Sequence, residues 1–249
     1  MDFVIGSSRS NYLRKYLNAL HPEPEFAYVY SRPGGKLIDL QHVAYQFIHD
    51  FQDMLDDYPM KRHHIYYVAG YCDITVVERD VDYEEVVVWD SYEEIFDKIR
   101  ATIDRVSVNT LGMGAKPCFA TIVPSEIETW NNYRMNRKRV TRHLLHHHQY
   151  DDMQYVLSNV VLRLNQYITE VNQRNGMVTP DLAAAIVEKR ANRPARIHYG
   201  RLYDGVHPTL STRRKWAKKA LHAINCNRNY PPINMSEPTP SFSDIEENW

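Results

Sequence analysis

The chain predicts an α/β fold, a parallel sheet with helices on both faces, and three observations carry that expectation. Four short runs rich in β-branched and aromatic residues (FVIG at 3–6, FAYVY at 26–30, HHIYYVAG at 63–70 and CFATIVP at 118–124) alternate with longer stretches whose apolar residues recur at helical spacing. Strands separated by helix-length segments need crossover connections, which set neighbouring strands parallel. A chain of 249 residues with 43% hydrophobic content can also bury the core such a sheet requires, as one large domain.

The first strand runs into SRSNYLRKYLNAL, where Tyr12, Leu13, Tyr16, Leu17 and Leu20 share a helical face. After the HPEP break comes the second strand, the turn SRPGG, and a helix marked by Leu37, Leu40, Val43, Phe47, Phe51 and Leu55. The third strand ends at Gly70. Two β-branched runs around an acidic turn follow in TVVERDVDYEEVVVWD, which predicts a β-hairpin inserted at 74–90 before the helix SYEEIFDKIRATIDRV. Beyond the fourth strand, Leu157, Val161, Leu164 and Ile168 mark one long helical segment between Trp130 and Asn175. DLAAAIVEKR and RRKWAKKALHAI predict the last two helices, closing a domain over 1–225. The polar, proline-rich stretch at 226–249 predicts a disordered tail.

Charge and cysteine content narrow the partners. A formal net charge of −1 gives no overall pull toward nucleic acid or anionic membranes. Cys72, Cys118 and Cys226 form an odd, sparse set without CxxC spacing, which predicts neither a disulfide framework nor a zinc knuckle. Neither a signal peptide nor a run of about 18 apolar residues is visible, so the expected compartment is cytoplasmic or nuclear.

In parallel sheets, ligands bind outside the carboxyl ends of the strands, near the point where strand order reverses. The loops to inspect are therefore those holding Ser7 and Ser8, Gly34 and Gly35, and Gly70 to Asp73. A serine after a strand is ordinarily a turn or capping residue; it becomes a nucleophile only with a histidine to take its proton and a carboxylate to orient that histidine. YDGVHPTLSTRRKWAKKAL supplies both, since Asp204 and His207 share a short loop before the last helix.

Glycine–serine after the first strand (IGSS), a glycine loop after the second (PGGKLIDL), Gly-x-x-Asp after the third (GYCD) and DGVHP before the last helix occur here in one order. In that order they resemble the blocks of the SGNH (GDSL-type) hydrolases over roughly residues 1 to 225. The resemblance implies a flavodoxin-like α/β/α sandwich with a parallel, about five-stranded sheet, and cleavage of esters, thioesters or acetylated sugars without a cofactor or metal. It implies Ser8 as nucleophile, Asp204 and His207 as orienter and base, and an oxyanion hole built from the N–H groups of Ser8 and Gly35. The chain departs from the family twice. Ser7 stands where the family has aspartate, and Cys72 stands where it has the asparagine whose amide stabilises the oxyanion. Loss of one such donor typically costs about 10²–10³ in turnover.

Two readings follow. One is a serine esterase acting on a small acyl or acetyl ester; the other is a weak or silent module of the same fold that holds nucleic acid or a protein partner, as SGNH-like domains of viruses and mobile elements could. The basic segments 134–142 and 213–219, the first beside Trp130 and Tyr133, could grip phosphates and stack bases, or could simply be solvated helix faces. His143, His146, His147 and His148 point in different directions around a helix and lack a partner ligand pattern, so no metal site is predicted. Cys72 in a loop after Gly70 reads as an oxyanion-position residue or a structural thiol, and Asp73 as a turn residue.

Overall fold

The computed structural model describes residues 2–17, 27–50, 63–79, 84–88, 90–138, 147–191 and 193–228. Its centre is a parallel four-stranded sheet made of β1 (Asp2–Gly6), β2 (Tyr28–Ser31), β3 (His64–Val68) and a later strand, Lys116–Phe119, in the spatial order β2, β1, β3, Lys116–Phe119. Among the described residues the sheet thus has four strands where the family resemblance implied about five. Its order reverses at β1, the switch point at which an α/β sheet opens a crevice.

Period-two alternation divides the sheet into two faces. Phe3, Ile5, Ile65, Tyr67 and Phe119 point to one side, and Val4, Tyr66, Val68 and Cys118 to the other. The first face is covered by α2 (Leu37–Asp50) and by two long helices introduced below; the second is covered by α1 (Asn11–Leu17) and the last helix. This is the three-layer sandwich expected for alternating strands and helices. Residues 51–55, the predicted end of α2, lie outside the described residues.

The chain continues from β3 through a one-turn helix, α3 (Tyr71–Ile74), into an antiparallel hairpin of β4 (Val76–Arg79) and β5 (Glu84–Val87). α4 (Tyr92–Gly112) starts in a capping box, with the Ser91 side chain accepting from Glu94 N–H and the Glu94 carboxylate accepting from Ser91 N–H. After β6 (Lys116–Phe119) come α5 (Ile127–Lys138) and α6 (His147–Arg174), which lie along the stretch expected to be helical; the residues between them, 139–146, lie outside the described residues.

DLAAAIVEKR departs from its helical prediction. Only Ala183–Ala185 turn, as a 3₁₀ helix, and Val187–Arg190 then form β7, paired antiparallel with β8 (Arg193–Ile197). Asp181 accepts from the Ala184 N–H and Thr121 Oγ1 from the Ala183 N–H, which anchors the turn to the loop after β6. The β-branched pair Ile186–Val187 then follows its strand preference. α7 (Leu210–Asn227) closes the fold and continues past Cys226, where the tail was expected to begin; 229–249 lie outside the described residues.

Candidate active site

The site is assembled at the carboxyl ends of β1 and β3. Gly6 ends β1 where a Cβ would lie 2.5 Å from the Val68 carbonyl oxygen and 2.6 Å from Ser10 Cβ, so only glycine lets the strand end pass so close to the following turn. The turn is then fixed by its own polar groups. Ser7 N–H donates to Val68 O (3.0 Å), and Ser7 O accepts from Ser10 N–H (3.0 Å), Ser10 Oγ (2.8 Å) and Ser31 Oγ (3.0 Å). Ser7 is buried in this role, and Ser8, half-buried, opens the 3₁₀ turn Ser8–Ser10.

The DGVHP loop approaches from the other end of the chain. Gly205 has φ +83° and packs so closely on the start of α5 that a Cβ would lie 2.6 Å from Glu126 O. Glu126 N–H donates to Gly205 O at 2.8 Å, and Tyr203 N–H donates to His207 O at 2.9 Å, which closes the loop on itself.

These constraints bring Ser8, His207 and Asp204 into one line of contact. Ser8 Oγ lies 3.2 Å from His207 Nε2, and His207 Nδ1 lies 2.6 Å from Asp204 Oδ2. The other carboxylate oxygen of Asp204 accepts from Val206 N–H (3.0 Å) and His207 N–H (2.6 Å). Burial pushes the Asp204 pKa up, but the hydrogen bonds and charge of His207 and the Val206 amide outweigh it and hold the carboxyl below its ordinary value. An ionised Asp204 places the proton on His207 Nδ1 and leaves Nε2 to accept from Ser8.

The residues expected around an oxyanion are less uniform. Ser8 N–H sits in the first turn of its helix, where amides have no intrahelical acceptor. Gly35 N–H donates to Arg32 O at 2.9 Å, so serving an oxyanion would mean exchanging that bond. Cys72 is half-buried in α3, and burial raises its thiol pKa while the nearby Arg9 charge lowers it in part; the net rise keeps a neutral S–H, a weak donor where an amide was expected. Asp73 does more than turn the chain. Both its carboxylate oxygens accept from Leu37 N–H, at 3.1 and 3.2 Å, and so tie the N-terminus of α2 to the loop after β3.

Two groups of residues emerge only in three dimensions. Arg9, next to Ser8, is buried rather than solvated. Its Nε donates to Val206 O (3.2 Å), one Nη to Val123 O (2.8 Å) and the other to Ser125 Oγ, and the guanidinium lies 5.0 Å above the Tyr71 ring. Around His207 stand Trp130 edge-on (centroids 5.3 Å), Tyr12 tilted (5.7 Å) and Tyr203 stacked (5.9 Å). No sequence signal marks Arg9, because an arginine in a first helical turn reads as exposed. Trp130 had a signal, its place beside Tyr133 and a basic run, but nothing linked it to His207.

Among the described residues no grouping of three or more His, Cys, Asp or Glu could hold a metal ion, and the side chains of His143 and His146 to His148 lie outside them. No described helix is long and apolar enough to cross a membrane.

No protein-family model and no curated protein sequence matches the chain. Solved structures do match in fold. A protein assigned as an acylhydrolase from Bacteroides fragilis aligns with TM-score 0.53 at 15% identity, over 91% of this chain and 87% of that one. A GDSL-like lipase from Bacteroides thetaiotaomicron aligns with TM-score 0.52 at 12% identity, over 90% of this chain and 87% of that one. A protein assigned to the lipolytic G-D-S-L family from Desulfitobacterium hafniense aligns with TM-score 0.50 at 11% identity, over 89% and 98% of the two chains. The fold is that of the GDSL-type, or SGNH, hydrolases.

Proposed function

We propose that the chain is a serine hydrolase that cleaves a small acyl or acetyl ester through an acyl-enzyme intermediate. The observation that carries this reading is the contact sequence Ser8 Oγ to His207 Nε2 and His207 Nδ1 to Asp204 Oδ2 at 3.2 and 2.6 Å, at the switch point of the sheet. Ser8 Oγ attacks the acyl carbonyl while its proton passes to His207 Nε2. Asp204 holds the ring in the required tautomer and steadies the imidazolium. The resulting oxyanion is met by Ser8 N–H, with the Cys72 thiol as a weak second donor. His207 returns the proton to the leaving alcohol; a water then attacks the acyl-serine and gives a proton to His207, which passes it to Ser8 Oγ as the acid leaves.

The test uses p-nitrophenyl acetate and a fluorophosphonate probe. Wild-type protein is expected to turn over the ester and to be labelled at Ser8, with both signals lost in Ser8→Ala and His207→Ala. Hydrolysis that persists unchanged in both variants would overturn the assignment. Absence of both turnover and labelling in the wild type would favour the other reading, a silent module holding nucleic acid or protein. That reading rests on the weakened donor at Cys72 and on α7, whose Lys215, Lys218 and Lys219 face solvent while Trp216 and Ala217 are buried.

A further inference from the structure

In the proposed reaction the leaving oxygen must touch His207 Nε2 when it takes back the proton, so whatever flanks the His207 ring also flanks the leaving group. Three aromatic rings flank it at centroid distances of 5.3 to 5.9 Å. A fourth, Tyr133, stacks on Trp130 (5.8 Å, 15°) and meets Tyr203 edge-on (6.2 Å, 80°). Tyr203 is 48% exposed, and Tyr12, Trp130 and Tyr133 are half-buried, so this aromatic cluster reaches the surface beside the histidine.

Two cations stand one ring away from the histidine, on different elements. Arg213 of α7 lies 4.5 Å above the Tyr12 ring, and its Nε donates to Pro208 O, next to His207. Arg134 of α5 lies 5.5 Å above the Trp130 ring. Asp204 is buried and held by His207, so its charge is directed at the histidine and not at Arg213. Aromatic faces receive flat or ring-shaped groups, and guanidinium groups bind carboxylate or phosphate oxygens.

From this we infer, building on the esterase reading, that the leaving group is a ring-bearing alcohol or phenol that carries a negative charge. Its ring packs on Trp130, Tyr133 and Tyr203, and its anion lies toward Arg213. The arrangement is specific to the leaving-group side, because it is built around the residue that protonates the leaving oxygen.

The experiment compares kcat/KM for matched esters that differ only in charge: 4-acetoxybenzoate against its neutral methyl ester, and mono-O-acetyl glucuronate against mono-O-acetyl glucose. The first pair tests a phenolic ring and the second a sugar ring. At least one anionic member is expected to be preferred by about tenfold, after correction for leaving-group acidity in the phenolic pair. Within each variant the anionic-to-neutral ratio should fall toward one in Arg213→Gln and invert in Arg213→Glu, and in wild type it should shrink as salt rises. An exposed-site control, Arg100→Gln on α4, should keep the wild-type ratio. Binding is measured separately on Ser8→Ala, by quenching of tryptophan fluorescence with 4-hydroxybenzoate or glucuronate. Ratios near one in both wild-type pairs, with p-nitrophenyl acetate still hydrolysed, would overturn the inference and leave the esterase reading standing. Salt-sensitive binding of an anionic ring without turnover of any ester would overturn the esterase reading and support the anion-and-ring site. Neither turnover nor binding would overturn both.

Discussion

At the scale of single residues, the fine adjustment of the site rests on two side chains that have no counterpart in the simple triad. Arg9 is a buried cation bonded to neutral oxygens, two carbonyls and a hydroxyl, and through Val206 O it ties the nucleophile turn to the residue before His207. Burial pulls its pKa down, and the neighbouring Tyr71, Cys72 and Asp204 act to raise it. Replacing it by leucine strands Val206 O, Val123 O and Ser125 Oγ, each unsatisfied group costing about 1–3 kcal/mol. Arg9→Leu is therefore expected to lower the urea midpoint substantially at unchanged m, and to depress kcat in whatever protein remains folded. Arg9→Lys, which keeps the charge but loses the fork, should retain less than wild-type stability but more than leucine. Cys72 gives the opposite prediction. Since its thiol is a poor donor where an amide would serve, Cys72→Asn is expected to raise kcat by about tenfold or more, measured with p-nitrophenyl acetate. A fall would assign Cys72 another task.

Among the elements, the loops at the sheet's carboxyl edge are fastened to one another rather than to the sheet alone. Asp73 caps α2 through Leu37 N–H, and burial raises its pKa from 3.8 to about 7, against the lowering effect of that hydrogen bond and of Lys36. The native protein then holds a proton on Asp73 that the unfolded chain has released, so this group favours folding fully below about pH 4 and loses its contribution as pH rises to about 7. Asp73→Asn keeps an acceptor for Leu37 N–H and removes the titration. The melting temperature of the variant should vary less between pH 4 and 7 than that of wild type, and at pH 8 it should be the higher of the two. An unchanged slope would mean that Asp73 stays ionised throughout. The β4–β5 hairpin is likewise docked rather than free: Asn131 of α5 pairs with Val86 as a strand would, accepting from its N–H at 2.8 Å and donating to its carbonyl at 2.9 Å. That contact links the hairpin to the helix that carries Trp130.

For the whole molecule, the end of the sheet opposite the site is locked by charge. Asp2 at the start of β1 is fully buried, bonds His64 Nδ1 of β3 at 2.8 Å, and is paired with Arg228 just after α7. One carboxylate thus joins the first strand, its neighbour and the last helix, which is also the helix that follows the His207 loop. Removing one partner of a buried pair leaves an uncompensated charge and typically costs about 3–5 kcal/mol. Asp2→Ala is expected to lower the melting temperature by roughly 10 °C, at about 2–4 °C per kcal/mol for a domain of this size. Arg228→Ala should do so by less, since His64 still faces Asp2. Equal stability of both to wild type would show that the lock carries no net stabilisation.

The short apolar runs and helical stripes sufficed to predict the layers, because burial of a strand on both faces imposes a continuous apolar pattern visible in the chain. IGSS and DGVHP pointed to Ser8, Asp204 and His207 through their resemblance to the blocks of the SGNH hydrolases, and their glycines, Gly6 and Gly205, sit where the structure leaves no room for a Cβ. Other features depend on what lies across space. DLAAAIVEKR looks helical until Thr121 and Asp181 capture its first amides, and Arg9 looks solvated until two carbonyls from distant loops surround it. The rings around His207 come from α1, α5 and the loop before α7, separated by many residues in sequence. Local spacing determines which elements form, but only packing decides which side chains from different elements meet, because contact energies act between neighbours in space and leave little trace in the order of the chain.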